Sequence, residues 1–351
     1  MKYILDFEKL VPGDIILESG NSKFSPVIKT ITDSIYSHAM IYVGHSIIHA
    51  LTDGVYSTNP QRVLTDDPKG LKVLRLKSPL TEQARNTVVN YARNLSGSIY
   101  SVPEASLSAV LGKTRKSSAS RQQFCSRLVA HSYRQIGVSI ANNPDYCTPE
   151  DINRSAKLNE ITGVLKPADE QEVAFAESDN PIRENQRRMF LWLNQTREVF
   201  AKRKIEIQTE SDVASFLMKN NDLDGLVCEF IKDSEYLEHY DYDKDVNPHR
   251  YEIKALLEKC SSAEHALEVF FGEINKEPSE IARHSNSYFL SGLNFIHLGL
   301  EYHKLHKQLY RNLLLMSHDR LVVLCQLAEI FRQPKLAEYC NYQTNYIQRI
   351  I

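Results

Sequence analysis

The sequence predicts an α+β N-terminal half, an antiparallel sheet packed on helices, followed by an all-helical C-terminal half. Three observations predict it. Short runs rich in Ile, Val and Tyr, the pattern of strands, cluster before residue 80. Between about Leu165 and Glu184 the composition turns acidic and Pro-punctuated, as in a linker. Beyond that point apolar residues recur at helical spacing almost without interruption. The expected division is therefore a mixed domain over 1–165, a linker over 166–183 and a helical domain over 184–351.

In chain order, Pro12-Gly-Asp14 reads as a turn leading into a strand through Ile15–Leu17, with Asp14 bonding its own backbone rather than acting as a catalyst. Residues 22–35 form a polar, β-branched connector, helical in part. Next, Ser37-His-Ala-Met-Ile-Tyr-Val and Ser46-Ile-Ile-His-Ala-Leu51 flank Gly44-His45, the pattern of a β-hairpin. A turn centred on those two residues pairs positions whose numbers sum to 89, so Met40 faces His49 and His38 faces Leu51. Side chains alternate between faces, which puts His38 and His49 on one face as diagonal neighbours, roughly 7–8 Å apart at the backbone. A slip of one residue would separate them.

Gly54-Val-Tyr and Leu71–Leu76 read as further strands, with an Asp-Pro-Lys-Gly turn before the second. Thr81 caps a helix to about Leu95 whose apolar face holds Ala84, Val88, Tyr91 and Leu95. Between Ser96 and Arg121 the chain is small, polar and basic, with Lys113, Arg115, Lys116 and Arg121; it reads as a solvated loop whose charge is incidental, the alternative being a mobile loop beside the nucleophile that attracts anionic groups. Cys125 then opens an amphipathic helix with Leu128, Val129, Tyr133 and Ile136 on one face and Gly137 as its stop. In the C-terminal half the expected helices are Arg183–Lys204, one capped by Ser261 and Glu264 through Phe271, a long one over Tyr288–Met316, and then His318–Phe331 and Leu336–Ile350. Tyr236–Asp245 reads as an acidic, aromatic surface loop, and His297, His303 and His306 as core or surface histidines rather than ligands.

Composition narrows the function classes. Apolar residues make up 42% and charged residues 25%, as in a globular protein; the net charge of −2 argues neither for nor against nucleic acid, and no nucleic-acid partner is predicted. No apolar run approaches the roughly 18 residues that span a bilayer. The N-terminus meets acidic residues before any signal-like core. The six cysteines are scattered without a C-x-x-C pair, so neither a disulfide framework nor a zinc ribbon is expected. These features predict a cytoplasmic protein, with export by a signal-independent route left open.

Cys125 in a helix's first turn faces unpaired N–H groups and the positive end of the dipole, an environment expected to lower the thiol pKa. A cysteine hydrolase needs that thiol, an imidazole to carry its proton and a third polar group to hold the imidazole. Cys125, His38 and His49 supply all three, and the Cys125 N–H is a ready oxyanion donor. The competing use of the imidazoles is zinc held by His38, His45 and His49. His45, expected in the turn and off the shared face, argues against it, so no metal or cofactor is predicted.

Several segments occur in a telling order: Pro-Gly-Asp-Ile-Ile-Leu17, Ser37-His-Ala-Met-Ile-Tyr-Val-Gly, Ile47-Ile-His-Ala, Gly97-Ser-Ile-Tyr100, Phe124-Cys-Ser-Arg-Leu-Val, and Thr148-Pro-Glu-Asp-Ile152. This order resembles the circularly permuted papain-like hydrolases, the YiiX-like branch of the NlpC-type superfamily, related to lecithin:retinol acyltransferase. The resemblance covers about residues 8–155. It implies a permuted papain-like fold with Cys125 as nucleophile, His38 as general base, His49 as the residue orienting it, and Tyr100 lining the substrate site. Many YiiX-like sequences carry Glu at the third position, whereas the acyltransferase branch carries His, as here. The cysteine motif nonetheless resembles the YiiX-like one and lacks the acyltransferases' Asn-Cys-Glu-His.

The expected activity is cleavage of an amide, ester or thioester through an acyl-thiol at Cys125, on a peptide, amide or lipid-acyl substrate. The alternatives are a lipid acyltransferase or thioesterase of the same design, a catalytically silent scaffold whose helical half binds a protein partner, and a toxin or effector acting on a foreign cell.

Overall fold

A computed structural model describes residues 1–19, 34–101 and 121–351. The connector over 22–33 and the basic positions Lys113, Arg115 and Lys116 lie outside the described residues. Packing divides the chain into two units, one of 1–186 with 200–211 and the other of 187–199 with 212–351.

The first unit is built on strands β1 (Tyr3–Leu5), β2 (Ile15–Glu18), β3 (His38–Tyr42), β4 (Ile47–Leu51), β5 (Gly54–Thr58), β6 (Leu64–Thr65), β7 (Leu71–Leu76), β8 (Leu158–Glu160) and β9 (Leu165–Pro167). The larger sheet runs β5-β4-β3-β2-β7-β8, each pair antiparallel, and β6-β1-β9 form a second sheet. The β3–β4 hairpin has the register expected from its turn: Met40 faces His49, Ile41 faces Ile48 and Tyr42 faces Ile47. Gly44 and His45 both take positive φ, 82° and 56°, the backbone that a two-residue turn needs to match the strands' twist.

Alternation then sorts the sheet's faces. Ile15, Leu17, Ala39, Ile41, Val43, Ile48 and Ala50 form one core with helices α1 (Glu82–Asn94) and α2 (Cys125–Arg134). Ile16, Met40, Tyr42, Ile47 and Val73 form the other with Leu5, Leu10 and Val164. Thr81 caps α1 through the Ala84 N–H, as expected, but the buried face is Val88, Val89 and Ala92 rather than the row through Ala84 and Tyr91. Asp14 fulfils the turn role, accepting from the Val11 N–H at 2.8 Å, and also receives both Nε and Nη2 of Arg75 at 2.7 Å. A short helix α3 (Pro149–Asn153) starts at Thr148, whose hydroxyl and Asp151 form a reciprocal capping box.

Residues 166–183, expected as a linker, carry structure instead. β9 pairs with β1, and Asp169 and Glu172 cap helix α4 (Glu170–Glu177) reciprocally. Two of the acidic residues that suggested a solvated tether, Asp169 and Glu172, are there as helix caps. Helix α5 (Pro181–Ala201) follows directly.

The second unit contains α7 (Asp224–Asp233), α8 (His239–Val246), α9 (Ile253–Lys259), α10 (Ala263–Ile274), α11 (Glu277–Leu298), α12 (Glu301–Ile330) and α13 (Pro334–Ile350), after α6 (Glu210–Leu217). Phe270, Ile281, Leu314, Leu321, Leu324, Cys340 and Ile347 form its core. Three expectations are corrected here. The long run from Tyr288 breaks at Gly299, whose φ of 69° ends α11, and α12 then runs unbroken through His318. Ser262, not Ser261, caps α10, because its Oγ reaches the His265 N–H at 3.1 Å. Tyr236–Asp245 is a short helical turn and most of α8 rather than a loop, and its Asp243 is buried with Tyr251 and Arg250 as partners. His303 and His306 are buried and His297 is exposed, in line with structural roles.

Candidate active site

The hairpin brings the two histidines into contact. His38 Nε2 and His49 Nδ1 are 3.0 Å apart, with ring centroids at 5.3 Å and an edge-to-face arrangement. His49 Nε2 in turn meets Thr58 Oγ1 at 2.9 Å. Thr58 lies on β5, whose register sets His49 opposite Tyr56 and leaves Thr58 as the diagonal neighbour of His49. Both imidazoles are half-buried. Burial disfavours their charged forms, so His38 is pushed down to about 4 and His49 well below its ordinary value, the latter helped by the neighbouring ring and by Arg183. At neutral pH the pair is uncharged, and one proton bridges it.

Cys125 is the first residue of α2, as the spacing predicts. Phe124, the N-cap, offers no capping side chain to the first turn. The expected fall in the thiol pKa does not occur. Cys125 is 6% exposed, and burial pushes its thiol up, against the pull of the Ala39 and Ser126 backbone N–H groups directed at the sulfur. The Ser126 hydroxyl donates to the Cys147 carbonyl at 2.6 Å. Desolvation outweighs the helix terminus, so the resting state is a neutral thiol beside neutral imidazoles rather than a thiolate–imidazolium pair.

The Ala39 amide places Cys125 one residue along the chain from His38. The paired β3–β4 ladder stops at Met40 and His49, so His38 stands beyond its last pair, at the open end of these strands. By alternation, its side chain shares the face of Met40 and Tyr42, whereas α2 packs on the face of Ala39 and Ile41. Neither imidazole is hydrogen-bonded to the sulfur among the described residues. The structure thus joins the two histidines directly and brings the cysteine to the same strand end.

Tyr100 is held against Gln123, which lies two residues ahead of this helix. It forms a bridge with Gln123, through the Ser101 N–H to the Gln123 carbonyl at 2.8 Å and the Gln123 N–H to the Ile99 carbonyl at 2.9 Å. Its phenol is raised by burial and by the Cys125 sulfur, which marks the two as neighbours. His45 sits in the turn and is exposed, away from the other two imidazoles. Among the described residues, no group of His, Cys, Asp and Glu is arranged to hold a metal ion.

Two supporting residues escaped the sequence. Arg127 is fully buried, donates to the carbonyls of Asp145 at 2.9 Å and Gln122 at 2.8 Å, and lies 4.5 Å over the Phe124 ring. It clamps the backbone that enters Cys125. Thr58 could have been found by applying the hairpin arithmetic again, since the two-residue turn at Thr52-Asp53 pairs positions summing to 105.

Residues 9–165 match the family model described as permuted papain-like amidase enzyme, YaeF/YiiX, C92 family. Among solved structures, one described as the metalloprotein yiiX from Escherichia coli O157:H7 is similar, at 20% identity and a TM-score of 0.34, covering 43% of this chain and 96% of that one. No curated protein matches the chain. The matched segment contains the six-stranded sheet, the histidine pair and the cysteine helix, and over it the chain is similar to the permuted papain-like amidases of the YaeF/YiiX family, a family of enzymes.

Proposed function

We propose that the chain is a cysteine hydrolase of peptide or amide bonds, with Cys125 as nucleophile, His38 as general base, His49 orienting His38, and Tyr100 lining the substrate site. The observation that carries this reading is the 3.0 Å contact between His38 and His49 on neighbouring strands, at the strand end where the Ala39 amide meets the Cys125 sulfur.

His38 Nε2 is engaged by His49, which leaves Nδ1 to act on the thiol. As Sγ attacks the carbonyl carbon, its proton passes to Nδ1 and the carbonyl oxygen becomes an oxyanion, with the Cys125 N–H as donor. Collapse breaks the C–N bond. The amine leaves with the proton from His38, and an acyl-thiol remains. Water then attacks this thioester, giving its proton to His38, and the acid departs as the thiol is restored. Since the thiol and imidazole rest uncharged, proton transfer accompanies attack rather than preceding it, and the sulfur–imidazole distance closes in the substrate complex.

The test is an unbiased comparison. Wild-type protein and Cys125→Ala are incubated with peptide, amide, thioester and lipid libraries, and the products are compared by mass. New acids and amines formed only by the wild type are expected. Transfer of the acyl group to an amine acceptor would assign an acyltransferase instead. Identical product profiles from the two proteins would leave a scaffold.

A further inference from the structure

A neutral imidazole has one donor and one acceptor, so two such rings in contact share a single proton and their tautomers are coupled. Here the chain of contacts continues, His38 Nε2 to His49 Nδ1 at 3.0 Å and His49 Nε2 to Thr58 Oγ1 at 2.9 Å. It runs in one of two directions. If Thr58 donates to His49, then His49 Nδ1–H donates to His38 Nε2, and His38 carries its proton on Nδ1, where it cannot accept another. If Thr58 accepts, both rings are Nε2–H tautomers and His38 Nδ1 presents a lone pair.

We propose that Thr58 is a positioning residue whose hydroxyl oxygen accepts from His49 Nε2–H, and so fixes both rings in the tautomer that leaves His38 Nδ1 free to take a proton. Two arguments favour this direction. A neutral histidine side chain intrinsically prefers the Nε2–H form, and the outward direction satisfies that preference in both rings at once. The edge carrying Thr58 is also held in place, because the Gln186 side-chain amide accepts from the Ser57 N–H at 2.6 Å and donates to the Ser57 carbonyl at 2.8 Å. The nearby Arg183 pairs with Asp53 at 3.0 Å, which moderates its field on the His49 ring. The inference rests on the assignment of His38 as base, yet its test reads the tautomers directly.

The experiment is two-bond ¹H–¹⁵N correlation on histidine-labelled full-length protein at pH 7.5, with the two rings assigned by His38→Gln and His49→Gln. Wild type and Thr58→Ser are expected to show protonated Nε2 and lone-pair Nδ1 in both rings. Thr58→Val is expected to add Nδ1–H signals in both and to slow Cys125 alkylation by iodoacetamide about tenfold, and Thr58→Ser to restore the rate. Nδ1–H tautomers in the wild type, or unchanged tautomers and rate in Thr58→Val, would overturn the proposal. Should Thr58→Val fail to fold, the wild-type and Thr58→Ser spectra still decide it. Correct tautomers with a Cys125 inert toward acyl probes would sink the hydrolase reading and leave the assignment of Thr58 standing.

Discussion

A thiol at a helix start invites the inference of a thiolate, but at Cys125 burial prevails. The helix dipole is worth about 0.3–1 kcal/mol at ordinary sites. Desolvation in a 6%-exposed position exceeds that and raises the pKa. His38 and His49 are shifted in the opposite direction for the same reason, since burial penalises whichever form is charged. The consequence is testable. Alkylation of Cys125 by iodoacetamide should climb through pH 7–10 without a plateau below pH 8, and a plateau from pH 5 upward would reveal an ion pair instead. The pKa was hidden in the sequence because it depends on which neighbours enclose the sulfur, and some of them, such as the Ala39 amide of β3 and Tyr100, lie far away in the chain. The pairing of His38 with His49 was not hidden. The period-two alternation around a Gly-His turn is enough to place His38 and His49 on one face.

At the scale of elements, the hairpin turn is the part on which the histidine pair depends. Gly44 at φ 82° has Pro12 Cγ at 3.4 Å from where a Cβ would stand. Gly44→Ala should therefore cost about 1–2 kcal/mol, through left-handed backbone and a tight contact, seen as a lowered urea midpoint. An unchanged midpoint would mean that the turn tolerates a side chain. In the helical unit, Arg320 Nε meets the buried Glu277 at 2.7 Å. Arg320→Met should destabilise that unit by about 3–5 kcal/mol, because a carboxylate is left buried without its cation. A loss below about 1 kcal/mol would show that Glu277 finds another partner or a proton. Helix positions in this half were legible from periodicity, but their ends were less so. Gly299 interrupts a pattern that reads as continuous, and Ser261 and Ser262 are equivalent until one sees which hydroxyl reaches an N–H. The acidic stretch before α5 misled for a related reason: Asp and Glu mark solvated tethers and helix N-termini alike.

Across the molecule, several histidines share one electrostatic situation. His38, His239 and His306 are each held near 4 by burial, and His49 lies well below its ordinary value. Their folded pKa values lie below the unfolded ones, so the unfolded chain binds more protons as pH falls from about 6.5 toward 4. Stability should rise with pH through that window and be lost on acidification. For His306, 5% exposed, the effect at pH 5 is about 2 kcal/mol. Urea titrations at pH 7.5 and pH 5 should show the lower midpoint at pH 5, and His306→Gln, if folded, should narrow the gap. Equal midpoints would mean that the imidazoles are solvated in the native state.

The proposed catalysis requires Cys125, His38 and His49 to act as one unit, and an electrophilic acyl probe measures that most directly. At pH 7.5 the probe should label Cys125 in the wild type, as located by intact mass and peptide mapping. In His38→Asn and His49→Asn, with folds checked by circular dichroism, the rate should fall, by about a hundredfold or more for His38. Equal labelling rates in all three proteins, or label on Cys147 in place of Cys125, would contradict it.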